Sequence, residues 1–164
     1  MREYQSAVGK HHQAPWSTSL IVMSTMATLL CLGIPWVALK HAREVTAWVA
    51  LLPLSLVLGC ALFTIRGYTI TGNAILVHRL FWATRLPRAD LRSAHFDPKA
   101  MRRSLRTCGN GGFFSFTGFY RNKLLGPYRA FVTDPHRAVV LRYSKRTVVV
   151  SPGAPEDFIR ELSL

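Results

Sequence analysis

A glycine-rich segment followed by basic residues is the part of this sequence best suited to binding an anion. It comprises Gly109, Asn110, Gly111, Gly112, Arg121 and Lys123. Successive backbone N–H groups in a glycine-rich turn can form a concave anion site, to which the two basic side chains would add charge. The same glycines could serve only to allow a positive φ in a hairpin turn. The lack of a phosphate-binding motif favours this simpler interpretation.

A second basic run, Met101–Arg106, contains Arg102, Arg103 and Arg106. We expect it to form an exposed strand edge. Beside a membrane, such an edge would attract anionic lipid headgroups without recognising one particular lipid. Its simpler interpretation is a basic edge that contacts only water.

No combination of residues matches a catalytic or metal-binding motif. There is no nucleophile elbow, no H-E-x-x-H and no phosphate-binding loop. Asp90, Asp97 and Asp134 stand beside turn residues, which suggests that they form turns. His11 and His12 are adjacent but have no cysteine or acidic partner in the spacing of a metal site. The sequence therefore predicts no enzyme activity, no cofactor and no metal ion.

The chain that positions these residues begins with two long apolar segments. Ser19–Leu39 and Val45–Ile65 are each 21 residues long and contain no charged residue or histidine. A helix of this length spans about 31 Å, close to the roughly 30 Å of a bilayer's hydrocarbon core. The segments predict a hairpin of two transmembrane helices joined by the short Lys40–Glu44 loop.

Two other interpretations of the apolar segments are weaker. A helix pair buried in a globular core would usually carry a polar face, and it would tolerate Pro35 and Pro53 poorly. A cleaved signal peptide would have a shorter apolar region and a small-residue cleavage site, and the first segment has neither.

The distribution of charge predicts the orientation in the membrane. Residues 66–164 contain 17 Lys and Arg against 6 Asp and Glu. The positive-inside rule places this part, with both termini, in the cytoplasm beneath a bacterial inner membrane. The three cysteines form no disulfide framework, which suits a reducing compartment. No helix-turn-helix, zinc-finger or RNA-binding pattern is visible, so nucleic acid is not an expected partner.

After Ile65 the period of the sequence becomes that of strands. The first two, Tyr68–Ile70 and Ala74–Leu80, alternate around the turn residues Thr71–Asn73, which predicts a hairpin. Further strands are predicted at Ala83–Leu86, Leu91–Phe96, Met101–Arg106, Phe113–Tyr120, Tyr128–Thr133, Ala138–Tyr143 and Thr147–Ser151.

Two features of the last third of the chain are more specific. Tyr128–Thr133 and Ala138–Tyr143 are expected to pair as a hairpin through the turn residues between them. Pro155–Leu162 is predicted to be a helix, because it starts with proline and has acidic residues at its positive end. The predicted organisation is a poorly ordered polar tail (1–18), a transmembrane hairpin (19–65) and a β domain (66–164).

This predicted β domain resembles the bacterial pleckstrin-homology-like (PH-like) domain family. The resemblance rests on Gly109–Phe114, Gly118–Lys123, Val149–Pro152 and Pro155–Phe158, and it covers about Arg66–Leu162. It implies two nearly orthogonal antiparallel sheets, about seven strands in all, closed at one end by a C-terminal helix. Members of the family often adjoin transmembrane segments.

One departure limits what the resemblance implies about ligands. Pleckstrin homology domains that bind phosphoinositides use basic residues around the first hairpin loop, and Thr71–Asn73 contains none. The resemblance therefore implies a fold rather than that ligand. We expect a non-enzymatic, membrane-anchored interaction or scaffolding module with an unidentified protein partner. The alternative is an accessory subunit of a transporter or another membrane complex.

Overall fold

The computed structural model describes residues 9–41 and 46–162. The helices are α1 (Thr18–His41), α2 (Thr46–Leu62) and α3 (Pro155–Leu162). The strands are β1 (His11–Gln13), β2 (Gly67–Ile70), β3 (Ala74–His78), β4 (Ala83–Pro87), β5 (Leu91–Phe96), β6 (Leu105–Gly111), β7 (Phe116–Asn122), β8 (Gly126–Val132), β9 (Val139–Tyr143) and β10 (Thr147–Val150). A short 3₁₀ helix, Pro135–Arg137, connects β8 to β9.

The strands form two sheets. The smaller has the order β1-β2-β3-β4 and the larger has the order β5-β9-β10-β8-β7-β6. All pairings in the described residues are antiparallel except that of β8 with β10, which is parallel. The predicted hairpin of Tyr128–Thr133 with Ala138–Tyr143 is therefore wrong, because β10 lies between β8 and β9. The resemblance implies about seven antiparallel strands, whereas the described part of residues 66–164 contains nine, β2–β10.

The main core lies between the two sheets and under α3. Tyr68, Phe131 and Phe158 are its largest fully buried side chains. The C-terminal helix has the predicted bounds, and Phe158 and Leu162 are completely buried on its inner face. A second cluster, which includes Tyr120 and Tyr128, covers the other face of the larger sheet. The mainly-β domain closed by a terminal helix is thus confirmed.

The N-terminal segment is part of the β domain from residue 9 onward. β1 pairs with β2, with His12 opposite Tyr68. The His12 side chain is buried and lies 2.9 Å from a carboxylate oxygen of Glu161 on α3. The prediction of a poorly ordered tail is therefore wrong for residues 9–17, and residues 1–8 lie outside the described ones. Three polar residues without alternation gave no signal for this strand, because its partner lies more than fifty residues away.

A buried polar network ties this segment to both sheets. The Tyr68 hydroxyl donates to the Phe131 carbonyl at 2.7 Å and accepts from the Ser151 backbone N–H at 3.1 Å. The Ser151 hydroxyl oxygen accepts from the Thr133 backbone N–H at 2.8 Å, and the Thr133 hydroxyl donates to the Pro15 carbonyl at 2.8 Å. Burial raises the pKa of Tyr68 to about 12.

The start of α1 is fixed on the β domain. Ser17 caps the helix, because its side-chain oxygen accepts from the Leu20 backbone N–H at 3.2 Å. The Ser17 backbone N–H donates to the Thr133 carbonyl at 3.2 Å, and Leu20 is completely buried. One turn further, the Ser24 hydroxyl accepts from the Phe114 backbone N–H at 2.9 Å. α1 therefore leaves the domain in a defined direction.

Among the described residues, one helix is long and apolar enough to cross a membrane. It is the Thr18–Val37 part of α1, with a mean hydropathy of 2.0. The second apolar helix, α2, has 17 residues and ends at Leu62, three residues before the predicted end. The predicted Lys40–Glu44 connection lies mostly outside the described residues.

Candidate functional site

The turn between β3 and β4 positions a buried arginine at the end of α2. The Arg79 side chain is only 6% exposed, and its backbone N–H donates to the Trp82 carbonyl at 2.8 Å, which closes the turn. Its Nη1 donates to the carbonyl of Phe63 at 3.0 Å, one residue beyond α2. Because the last carbonyls of a helix carry partial negative charge, this cation stabilises the end of α2.

Aromatic rings surround the Arg79 guanidinium. It lies 5.3 Å from the centre of the Phe63 ring, 5.8 Å from that of Trp82 and 5.4 Å from that of Phe131. Arg129 lies 4.8 Å from the Phe131 ring, so this ring contacts two guanidinium groups. Burial, and then the positive charge of Arg129, lowers the pKa of Arg79.

A cavity of about 960 Å³ opens between α2 and the larger sheet beside this arginine. We call it the wedge. The wall on α2 includes Leu52, Leu56, Gly59 and Phe63, and the opposite wall includes Arg79, Arg106, Phe119 and Arg129. None of the described residues that line it is Asp or Glu. β6 and β7 contribute no described residue to the core cluster between the sheets, and the wedge lies between these two strands and α2.

The glycine-rich segment is a strand rather than a turn. β6 includes Gly109 and Gly111, and Gly109 pairs with Gly118 of β7. Both paired glycines have positive φ, 113° and 141°, and a Cβ added to either would lie within 2.3 Å of a backbone oxygen of the other strand. These two glycines therefore allow the two strands to approach each other closely.

The hairpin turn begins at Gly112, whose φ of 113° is positive, as the simpler interpretation of the glycines expects at this one position. The Gly112 backbone N–H donates to the Ser115 carbonyl at 3.1 Å, and the Asn110 side chain accepts from the Phe113 backbone N–H at 3.0 Å. The predicted strand Phe113–Tyr120 accordingly begins only at Phe116. This turn contacts α1 through the Phe114 backbone N–H, which donates to the Ser24 hydroxyl at 2.9 Å. The Phe114 ring also lies 6.0 Å from that of Trp16, just before α1.

The structure does not bring the glycine segment and its two basic residues together. Gly111 pairs with Phe116 at one end of the β6–β7 hairpin, whereas Arg121 pairs with Leu105 at the other. Lys123 follows β7 and lies beyond that far end. At about 3.3 Å per residue, the two ends are roughly 17–20 Å apart. One anion site composed of all six predicted residues does not form.

The predicted basic edge is divided in the same way. The strand predicted at Met101–Arg106 is a turn up to residue 103, and the strand runs from Leu105 to Gly111 instead. Arg102 and Arg103 are exposed near Lys123, where they line a separate shallow depression. Arg106 lies in the wedge, and its guanidinium passes over Gly111.

The turn that contains Arg79 was not predicted from the sequence, because the strand predicted at Ala74–Leu80 ends at His78. Leu80, Phe81 and Trp82 follow it and are 43%, 76% and 41% exposed. Trp82 packs edge-on against Phe63 at 5.3 Å, which fixes this aromatic turn at the end of α2. Three large apolar residues in a turn, where polar residues are usual, were the available signal.

The adjacent histidines His11 and His12, which lack the spacing of a metal site, make contacts within the fold. The His11 Nδ1 lies 3.2 Å from the Thr69 hydroxyl, which lies 2.8 Å from the His78 Nε2. Burial, and then His11, lowers the pKa of His78. Among the described residues, no three His, Cys, Asp or Glu side chains are grouped as a metal site would require.

These features define a mainly-β domain of two sheets and a terminal helix, joined at one end to apolar helices. The bacterial PH domain family matches residues 66–164, which is more than half of the chain. The chain belongs to that family. No curated protein and no solved structure gives a significant match. Bacterial PH domains are in general binding modules rather than catalysts, and that is the class of function the family supports.

Proposed function

We propose that this chain is a membrane-anchored, non-enzymatic interaction module. The observation that carries the proposal is the exposed apolar surface of α1. Leu29, Leu30, Ile34 and Trp36 are each more than 60% exposed. In water, a surface of this kind would promote aggregation, whereas a bilayer solvates it.

Two further contacts support two crossings. α1 begins at the β domain through the bond from Ser17 to Thr133, and α2 ends there through the bond from Arg79 to Phe63. Two helices that start and finish on the same side cross a bilayer an even number of times. The 17 residues of α2 equal the lower limit of about 17 for a spanning helix.

The surface of the β domain supports a location next to the cytoplasmic face of the inner membrane. Residues 66–164 carry a net charge of +11. Each Lys or Arg close to the bilayer contributes about 1 kcal/mol of attraction to anionic lipid headgroups. The exposed rings of Phe81 and Trp82, beside the end of α2, have the chemistry of a membrane–water interface.

A protein partner is supported by the outer edge of the larger sheet. β6 is the last strand of that sheet, and Leu105 at its start is 76% exposed. An unpaired strand edge can accept a strand from another protein. The same edge favours the second candidate function, an accessory subunit of a transporter or another membrane complex.

Topology reporters test the anchor and its orientation. Alkaline phosphatase fused after Leu164 should be inactive in intact bacteria, and the same enzyme inserted between α1 and α2 should be active. Both proteins should remain in the membrane fraction after an alkaline carbonate wash. Activity of the C-terminal fusion would reverse the orientation, and release by carbonate would contradict the anchor.

Affinity purification in mild detergent separates the two candidate functions. A stoichiometric transporter subunit that is lost with Leu105→Arg, but kept with Leu124→Arg, would favour the accessory role at the β6 edge. Leu124 is a matched control because it is 69% exposed in the turn between β7 and β8. Equal recovery from both variants would exclude the β6 edge as the docking surface.

A further inference from the structure

We propose that the wedge binds one anionic phospholipid, with the phosphate at Arg106 and Arg129 and an acyl chain along α2. This inference rests on the proposed membrane anchor, because the lipid would enter the wedge from the bilayer. It differs from general attraction between the basic domain and the membrane, since it names a site with two chemically distinct walls.

The size and shape of the wedge fit an acyl chain. Its volume of about 960 Å³ lies at the upper end of the roughly 300–1,000 Å³ typical of small-molecule sites. Its wall on α2 runs from Leu52 to Phe63. At about 1.5 Å per residue, this wall is about 16 Å long, close to the roughly 15 Å of one hydrocarbon leaflet.

The charges of the wedge select an anion. Arg79, Arg106 and Arg129 line it, and no carboxylate of residues 9–41 or 46–162 does. Arg79 already donates to the Phe63 carbonyl, and it lies 3.4 Å from the Thr84 hydroxyl. No ion pair involves Arg106 or Arg129 among the described residues. Their guanidinium groups therefore keep the fork of donors that matches phosphate oxygens.

The arginines are held in place before any ligand arrives. The Arg129 guanidinium lies 5.6 Å from the centre of the Phe119 ring and 4.8 Å from that of Phe131. The Arg106 side chain crosses Gly111, where the absence of a Cβ leaves room for it. Phosphate binding would relieve the repulsion between Arg129 and the buried Arg79 next to it. Pre-organised donors lose less entropy on binding.

Both walls together distinguish a phospholipid from other anions. A free phosphate or a phosphorylated peptide would use the arginines but leave Leu52 and Leu56 without a partner. A neutral lipid would cover the apolar wall and leave three positive charges without a counterion. An anionic phospholipid satisfies both, and it is the amphiphile that the bilayer next to α2 supplies.

The test measures lipid binding to the full chain in non-ionic detergent by native mass spectrometry. Phosphatidylglycerol should bind at least about tenfold more tightly than phosphatidylcholine. The double variant Arg106→Gln/Arg129→Gln should weaken phosphatidylglycerol binding by about tenfold to a hundredfold, as expected for losing charge-assisted hydrogen bonds. The matched variant Arg102→Gln/Arg121→Gln removes the same charge outside the wedge and should change binding less than about threefold.

A steric variant tests the acyl wall without changing charge. A Cβ added at Gly59, on the wedge side of α2, meets nothing within 4 Å, and the same holds for Gly33 on α1. Gly59→Leu should fill the wedge and weaken lipid binding about tenfold, whereas Gly33→Leu should leave it unchanged. If the double arginine variant folds poorly, lipid binding by Gly59→Leu and by the single variant Arg106→Gln still tests whether the wedge is the lipid site.

Three results would overturn the inference. They are equal loss in the two arginine double variants, unchanged binding in Gly59→Leu, and equal affinity for phosphatidylglycerol and phosphatidylcholine. Competition by millimolar glycerol phosphate as effective as that by the lipid would assign the arginines to a soluble phosphate instead. The carbonate wash tests the proposed anchor independently of lipid binding. If the chain stays in the washed membranes but the lipid-binding tests fail, the lipid site is wrong and the anchor is not.

Discussion

The arginines at two places in the β domain are used in opposite ways. Arg79 is 6% exposed, stacks on aromatic rings and caps α2. Arg102 and Arg103 are exposed in the turn before β6, and neither forms an ion pair among the described residues. The residue type is the same and the charge is the same. The difference lies in what the fold places next to each guanidinium.

That difference shows why net charge is a poor guide to this domain. A total of +11 over residues 66–164 says nothing about which cations are structural, which line a cavity and which only contact water. A buried guanidinium needs acceptors and ring faces within reach, and helix ends and aromatic turns supply them. An exposed one contributes through long-range attraction that salt screens.

Replacing Arg79 is expected to have the largest effect. Arg79→Ala removes the bond to the Phe63 carbonyl and the packing against Phe63, Trp82 and Phe131, so the free energy of unfolding should fall by about 2–4 kcal/mol. Arg102→Ala should change it by less than about 0.5 kcal/mol. Chemical denaturation of both full-length variants in the same detergent measures this. If both variants lower the free energy of unfolding by a similarly small amount, the burial of Arg79 contributes little to stability.

The elements that local pattern determines could be predicted from the sequence. The bounds of α3 and of Leu91–Phe96 agree with the prediction. The turn at Thr71–Asn73 also forms, with the Thr71 backbone N–H donating to the Ala74 carbonyl at 2.8 Å. In these segments a proline, a turn residue or a period of two acts over a few neighbours, and no distant strand is needed.

The elements that depend on pairing with a distant strand could not be predicted from the sequence. β1 has no alternation and is a strand only because β2 offers it an edge. Gly109 belongs to a strand because Gly118 stands opposite it, a contact that neither glycine signals alone. The burial of Arg79 likewise depends on Phe63, which lies sixteen residues earlier and one residue beyond the end of α2. The wedge could not be foreseen, since its two walls come from different predicted domains.

Tyr68→Phe should have the next largest effect on the free energy of unfolding, because Tyr68 holds Phe131 and the Phe131 ring packs against Arg79. The Tyr68 hydroxyl donates to the carbonyl of Phe131, whose ring lies next to Arg79 and Arg129. Losing this buried hydrogen bond should lower the free energy of unfolding by about 1–3 kcal/mol. Thermal and chemical denaturation measure the loss.

Tyr143→Phe is the matched control for Tyr68→Phe. The Tyr143 hydroxyl is buried and has no hydrogen-bond partner among the described residues. Removing it should therefore leave stability unchanged or slightly higher. If both variants lose the same stability, the hydroxyl network does not support the Arg79 region.

Lowering the pH should reduce the free energy of unfolding, because His78 is harder to protonate in the folded chain than in the unfolded one. Burial, and then His11, lowers the pKa of His78 in the folded chain, so the unfolded chain binds a proton first as the pH falls. This contribution to stability is complete above the ordinary histidine pKa of about 6.5 and decreases below it. His11, Arg66 and Arg79 line the same depression as His78.

Denaturation curves between pH 8 and pH 5 measure this effect. His78→Gln should flatten the decrease in stability below about pH 6.5. His95→Gln replaces an exposed histidine on β5 and should leave the decrease unchanged. An unchanged slope in His78→Gln would exclude His78 as its source.

The smallest effect on stability, and the sharpest test of the comparison, comes from two exposed apolar residues. Phe81 is 76% exposed beside the end of α2, and Leu124 is 69% exposed in the turn at the end of β7 that lies away from α1. Cysteine at either position should change the free energy of unfolding by less than about 0.5 kcal/mol.

A polarity-sensitive fluorophore on these cysteines, in a chain whose three native cysteines are replaced by alanine, then reports the surroundings of each. If the proposed anchor places this aromatic turn at the membrane interface, the label at position 81 should shift to shorter wavelength in lipid nanodiscs and be quenched by brominated lipid. The label at position 124 should keep its emission in water. Equal quenching would mean that both ends of the domain touch the bilayer, and the contrast between a buried, membrane-proximal arginine and exposed, distant ones would no longer hold.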